Sequence, residues 1–183
     1  MNITSDPRFL IHFDKGDITE YTIPPSVTEI EWEEFKGCSS LKSVYIPTSV
    51  TKIHSSAFSN CTSLTNISIP ESVTDIGCKV FSGCTSLTNI CIPPSVTEIG
   101  NSAFYGCSSL TSIIIPPSVT EIGESAFCDC SSLTSITIPK SVKNVGSNTF
   151  YGCPNLTEVR IPKECEVHEF AFTNCPNVKI IRY

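Results

Sequence analysis

Isoleucine is followed by proline at Pro24, Pro47, Pro70, Pro93, Pro116, Pro139 and Pro162, and every interval is 23 residues. The same step carries Phe35, Phe58, Phe81, Phe104, Phe127 and Phe150. It also carries Cys38, Cys61, Cys84, Cys107, Cys130 and Cys153, and Leu41, Leu64, Leu87, Leu110, Leu133 and Leu156. The last unit is shorter by one, so Phe172, Cys175 and Val178 follow at intervals of 22. The deletion falls between Pro162 and Val167, with Cys165 in the valine slot and Val167 in the isoleucine slot. A period of this length, kept through seven units, specifies a solenoid in which each unit buries its apolar face only against its neighbours.

The unit reads P-x-S-V-T-E-I-G-x-x-A-F-x-G-C-x-S-L-T-x-I-x-I. Its end, as in Leu110-Thr-Ser-Ile113-Ile-Ile115, predicts a short strand, with Ile113 and Ile115 facing inward and Ser112 and Ile114 outward. Proline lacks an N–H and stops each strand at a fixed place. The S-V-T-E-I-G stretch then turns the chain with its valine and isoleucine toward the core. The A-F segment is too short for a regular helix, and a helical turn or 3₁₀ piece with the phenylalanine inward is expected there. The residue before each column cysteine is Gly37, Asn60, Gly83, Gly106, Asp129, Gly152 or Asn174. These three residue types best tolerate a left-handed backbone, so a positive φ is expected once per coil.

This pattern resembles the 23-residue leucine-rich repeat of BspA-type surface proteins over residues 18–183. The resemblance implies a right-handed, curved α/β superhelix with a parallel sheet on its concave side. With a degenerate first unit, about eight coils are expected, with short 3₁₀ or helical turns on the convex side. It also implies non-enzymatic protein binding, commonly adhesion to matrix proteins or other cells. Residues 1–23 read as a cap and that degenerate first repeat: Ile18, Tyr21 and Ile23 form its strand, and Phe9, Leu10, Ile11 and Phe13 cover it. Residues 24–183 are the seven repeats of one domain, ending on Ile180-Ile181-Arg182-Tyr183 without a polar seal.

Composition narrows the function. Hydrophobic residues make up 40% and charged residues 16% of the chain, too apolar for disorder. Its longest apolar runs stop far short of the ~20 residues a membrane helix needs, so no membrane insertion is expected. The net charge of −6, without a basic stripe, argues against nucleic acid. No phosphate loop, dinucleotide fingerprint or paired base and nucleophile is present, so no catalysis and no cofactor are expected. His54 and His168 occupy a slot usually held by glycine and read as half-exposed spacers.

Eleven cysteines cannot all pair within the chain. Seven belong to the repeat column, flanked by buried phenylalanine and leucine. Burial favours a ladder of small core thiols bonded weakly to backbone, with a disulfide ladder between coils or a metal site as the alternatives. Cys128 and Cys130 have no third or fourth ligand at zinc-finger spacing, so no metal is expected. Reduced thiols and the absence of a basic-apolar leader in residues 1–17 point to the cytoplasm, whereas the family resemblance points to the cell surface. The sequons at Asn2, Asn60, Asn66 and Asn155 matter only on export. Ile11-His12-Phe13 after Arg8 loosely resembles a phosphatase-docking motif, which offers an alternative reading as an intracellular regulatory module.

In a fixed scaffold, partner information lies in the columns that vary. The outward strand column reads Tyr45, Ser68, Cys91, Ile114, Thr137, Arg160 and Arg182. Two residues earlier stand Ser43, Asn66, Asn89, Ser112, Ser135, Glu158 and Ile180. Tyr45, Asn66, Asn89, Ile114, Arg160 and Arg182 are the candidate contacts for a protein partner, with Tyr45, Ile114 and Arg160 as anchors. The open last strand is a template for pairing, so a homo-oligomer through Val178, Ile180, Ile181 and Tyr183 is expected.

Overall fold

Each coil starts its turn at the repeat proline. The computed structural model describes residues 18–183. In it Val27, Val50, Val73, Val96, Val119 and Val142 donate their N–H groups to the carbonyl of the proline three residues earlier, at 3.0–3.1 Å. The hydroxyls of Ser49, Ser72, Ser95 and Ser141 each bond the valine carbonyl of the preceding coil, so the turn also ties one coil to the last.

The described residues form thirteen short strands, β1–β13 in chain order, that stack in two parallel rows. The first row holds β1 (Glu20–Thr22), β3 (Ser43–Tyr45), β5 (Asn66–Ile67), β9 (Ser135–Thr137), β11 (Glu158–Ile161) and β13 (Lys179–Arg182). Single parallel bridges, Ser68 to Cys91 and Cys91 to Ile114, continue it through the middle coils. The second row holds β2 (Glu29–Ile30), β4 (Lys52–Ile53), β6 (Asp75–Ile76), β7 (Glu98–Ile99), β8 (Glu121–Ile122), β10 (Asn144–Val145) and β12 (Glu166–Val167). The described residues thus form a parallel β-solenoid of about seven turns. The expected front cap of Phe9, Leu10, Ile11 and Phe13 lies outside the described residues. The E-I segment, read from sequence as part of a turn, builds a ladder of its own: Thr51, Thr97 and Thr120 donate to Thr28, Thr74 and Thr97 one coil back, at 2.8–2.9 Å.

No helix occurs among the described residues, which corrects the α/β expectation and its 3₁₀ pieces. The reason lies in the backbone. The expected left-handed column is present at all seven positions, with φ from 58° to 75° at Gly37, Asn60, Gly83, Gly106, Asp129, Gly152 and Asn174. A second such column stands four residues earlier, at Glu33, Ser56, Lys79, Ser102, Ser125 and Asn148, with φ of 55–60°. Two left-handed residues within one short segment forbid a continuous right-handed helix. The N–H groups therefore alternate in their use. Ala57 and Ser59 close local turns onto His54 and Ser56, while Ser56, Phe58 and Asn60 donate to Cys78, Val80 and Ser82 of the next coil at 2.7–2.9 Å. Every donor in the segment has a partner without a helix.

The two rows and the turn segment enclose one continuous core. Phe35, Phe58, Phe81, Phe104, Phe127, Phe150 and Phe172 stack along it at 5.0–5.7 Å between ring centroids. The column thiols bridge the coils. Cys61, Cys84, Cys107, Cys130, Cys153 and Cys175 each donate to the carbonyl of the phenylalanine in the coil before, at 2.9–3.2 Å. That is the backbone-bonded thiol ladder expected from burial. Burial pushes the Cys84 thiol up to about 12 and holds Cys107 and Cys130 well above the usual thiol range; at Cys153 a hydrogen bond with Cys175, followed by burial, raises the thiol as well.

Candidate protein-binding face

The outward side chains of the first strand row form the candidate face. Alternation along each strand buries Val44, Ile67, Ile90, Ile113, Ile136 and Val159 and turns Tyr45, Ser68, Cys91, Ile114, Thr137 and Arg160 to solvent, as the pleat requires. Ile114 is 82% exposed and Tyr45 63%. Asn66 and Asn89 are exposed beside them.

Over the carboxyl-terminal coils this face deepens into a groove of about 650 Å³, lined among others by Ser112, Ile114, Ser135, Thr137, Lys140 and Tyr183. Ile114 forms an apolar wall. Tyr183 forms another: its hydroxyl donates to the Ile138 carbonyl at 2.7 Å, and its ring lies 6.0 Å from the Arg160 guanidinium and 5.9 Å from the Lys140 ammonium. Two cations near one aromatic face hold it by charge–quadrupole attraction. Arg160 also approaches Glu158 at 3.8 Å, an exposed pair that orients the guanidinium and contributes little stability. The groove therefore has apolar walls, hydroxyls from Ser112, Ser135 and Thr137, and charges of both signs from Lys140 and Glu158.

The structure brings Ile114 and Tyr183 together and leaves Tyr45, Asn66 and Asn89 on the same face but outside the groove lining. It also changes the register of the last coil. The deletion lies between Pro162 and Val167, where the spacing puts it, since Val167 pairs with Val145. A second residue is lost after Val178, however, because β13 pairs Lys179 with Glu158, Ile180 with Val159, Ile181 with Arg160 and Arg182 with Ile161. Arg182 thus leaves the outward column expected for it. Its guanidinium instead donates to the carbonyls of Pro162 and Cys165, at 3.0 and 2.6 Å. Ile180 moves from the Glu158 column to the Val159 column and remains 42% exposed, because among the described residues no strand covers the far side of β13. Val178 packs partly buried against the core, and Ile181 is half-buried.

Two contributors escaped the sequence reading. The sequence assigns Tyr183 to self-association only, since its reach back to Ile138 depends on the slipped register. Lys140 belongs to the column after the proline (Pro25, Thr48, Glu71, Pro94, Pro117, Lys140, Lys163), whose variation was a usable signal. His54 is a further correction. It is 7% exposed, not half-exposed, with its Nε2 2.7 Å from the Glu29 carboxylate and its ring against Trp32, tilted by 35° at 3.8 Å between centroids. His168 is exposed.

Comparison with known proteins agrees with this architecture. The family model of the BspA type leucine rich repeat region matches in six copies over residues 11–130 and 97–183. A leucine rich repeat protein of T. pallidum is 34% identical over 91% of this chain and 79% of its own, with a TM-score of 0.83. A leucine-rich repeat protein from Bacteroides ovatus is 31% identical, covered over 100% of this chain and 51% of its own, with a TM-score of 0.88. One from Eubacterium ventriosum is 26% identical over 98% of this chain and 48% of its own, with a TM-score of 0.82. The chain therefore spans about half the length of the last two. No curated protein matches it. By repeat, register and the two relatives above 30% identity, the chain belongs to the BspA-type leucine-rich-repeat family.

Proposed function

We propose that the chain is a non-enzymatic scaffold that binds a protein partner on the outward face of its first strand row, in adhesion or surface recognition. The observation that carries this reading is Ile114, an isoleucine 82% exposed on the wall of a groove, whereas Ile67, Ile90, Ile113 and Ile136 of the same row are buried. A large apolar side chain held out by a rigid strand and rimmed by hydroxyls and charges is the composition of an interface centre. The full row, seven steps of ~4.8 Å, gives a ridge of roughly 30 Å. That suits a standard interface of about 800 Å² per partner. Replacing Tyr45, Ile114 and Arg160 together with alanine abolishes partner binding and leaves thermal stability close to wild type; unchanged affinity in that variant sinks the face.

The thiol ladder favours a second reading, an intracellular interaction module, because its hydrogen bonds need the sulfur protonated and unoxidised. An antibody applied to native cells, first intact and then permeabilised, separates the two. Staining of intact cells supports surface recognition, and staining only after permeabilisation supports the intracellular reading.

We further propose that the chain self-associates through β13, the edge strand of its sheet among the described residues, with Val178, Ile180, Ile181 and Tyr183 at the contact. A monomeric mass by light scattering at high micromolar concentration refutes this.

A further inference from the structure

We propose that Glu29, Glu31 and His54 form a binding site for a divalent first-row transition-metal cation at the amino-terminal end of the second strand row. β2 and β4 pair Glu29 with Lys52 and Ile30 with Ile53. The next position in register sets Glu31 opposite His54, whose N–H bonds the Ile30 carbonyl at 2.9 Å. Glu29 and Glu31, two residues apart, share one side of the strand end. The carboxylate oxygens and the imidazole nitrogen lie within 4.8 Å of one another.

Packing does not ask for these side chains. The slot of Glu31 and His54 is glycine at Gly77, Gly100, Gly123 and Gly146. An added Cβ on Gly100 would stand 2.7 Å from the backbone of the preceding coil. Charge does not ask for them either. Glu29 is matched by its hydrogen bond to His54, but among the described residues no hydrogen bond or ion pair engages the Glu31 carboxylate. Two carboxylates beside each other repel unless a cation joins them, and the one lysine in register with the pair, Lys52, stands across from Glu29.

The geometry suits an imidazole-selecting metal. His54 is 7% exposed and its ring lies against Trp32, so burial holds its nitrogen in place before any ligand arrives. Donors around a tetrahedral ion at ~2.0–2.2 Å stand about 3.4 Å apart, so the 2.7 Å His54–Glu29 contact has to open by under an ångström. The Glu29 side chain is 46% exposed and free to make that shift. Three protein ligands with one carboxylate at the surface leave a further position for water or a partner's donor. Imidazole with carboxylates favours zinc, nickel or copper over calcium or magnesium.

The test uses nickel(II) and the intrinsic fluorescence of Trp32, the single tryptophan of the chain, which sits against the ligand ring. Cys78 and Cys91, the two exposed thiols, are first replaced by serine so that sulfur does not compete. Saturable quenching at one ion per chain is expected, and H54Q and E31Q are each expected to raise its midpoint roughly tenfold or more. E31Q changes a partly exposed carboxylate and keeps the experiment readable if H54Q disturbs the fold. Quenching that never saturates, or that saturates equally in both variants, shows that His54 and Glu29 are an ion pair only and overturns the site.

Discussion

Truncating Phe104 is the sharpest test of the core. Its ring is fully buried and stacks on Phe81 at 5.5 Å and on Phe127 at 5.4 Å. Removing a buried phenylalanine ring costs ~3–5 kcal/mol in transfer and cavity terms. Two aromatic pairs, each contributing ~0.5–1.5 kcal/mol beyond burial, place Phe104→Ala toward the upper end. A chain of this size loses ~2–4 °C of melting temperature per kcal/mol, so a drop of about 6–20 °C is expected by scanning calorimetry. Phe172→Ala is the control. That ring is only partly buried and has one stacked neighbour, Phe150 at 5.3 Å, so its loss should be about half as large. In a solenoid each coil is stabilised only by its neighbours, so hydrogen exchange in the Phe104 variant should rise first in the coils on either side of it. A drop under about 3 °C, or one no larger than that of Phe172→Ala, refutes the continuous aromatic stack as a source of stability.

Two further predictions address the backbone and the thiols. A Cβ on Gly152 would overlap the Asp129 carboxylate oxygen one coil earlier. Gly152 holds φ at 70°, where an alanine is strained by about 1–2 kcal/mol, and the Asp129 carboxylate must also turn aside, so Gly152→Ala should be destabilising, and less so when Asp129→Gly accompanies it; purely additive melting shifts in that double-mutant cycle contradict the contact. Of the eleven cysteines, only Cys78 and Cys91 are exposed, so a thiol reagent should label two sites rapidly in the native chain and the rest on unfolding. Burial raises the Cys84 thiol to about 12, against ~8.5 for a free thiol, so the folded state holds its proton longer than the unfolded state. The stability tied to that proton is complete below pH ~8.5 and is lost as the pH rises toward 12. A melting temperature that stays level through that window contradicts the assignment.

The parts of this molecule legible from sequence are those written into every coil. The Ile-Pro step places the strand ends. The cysteine column places a thiol over each preceding phenylalanine carbonyl, and the Gly/Asn/Asp column places one left-handed residue per turn. The second left-handed column was not legible, because Glu33, Ser56, Lys79 and Ser102 are not residues that favour positive φ. Coil-to-coil hydrogen bonds impose that conformation, and the same bonds replace the expected helical turn. The slipped register of β13 was hidden for a related reason: Val178 keeps its turn bond to Cys175, so the lost residue leaves no mark until the strand pairs. That slip withdraws Arg182 from the outward column and folds Tyr183 over the groove. The Glu29, Glu31 and His54 cluster was invisible to a search by local spacing, since its members meet only across a coil.

The central claim, that recognition takes place on the outward first strand row, is tested most directly by a photo-crosslinking residue placed at one position at a time in native cells. Ile114 on the groove wall and Glu121 on β8 of the second row are both exposed and lie in neighbouring coil segments. A discrete adduct from position 114, with none from position 121, is the result the account predicts. Equal adducts from both, or adducts from position 121 alone, would contradict it.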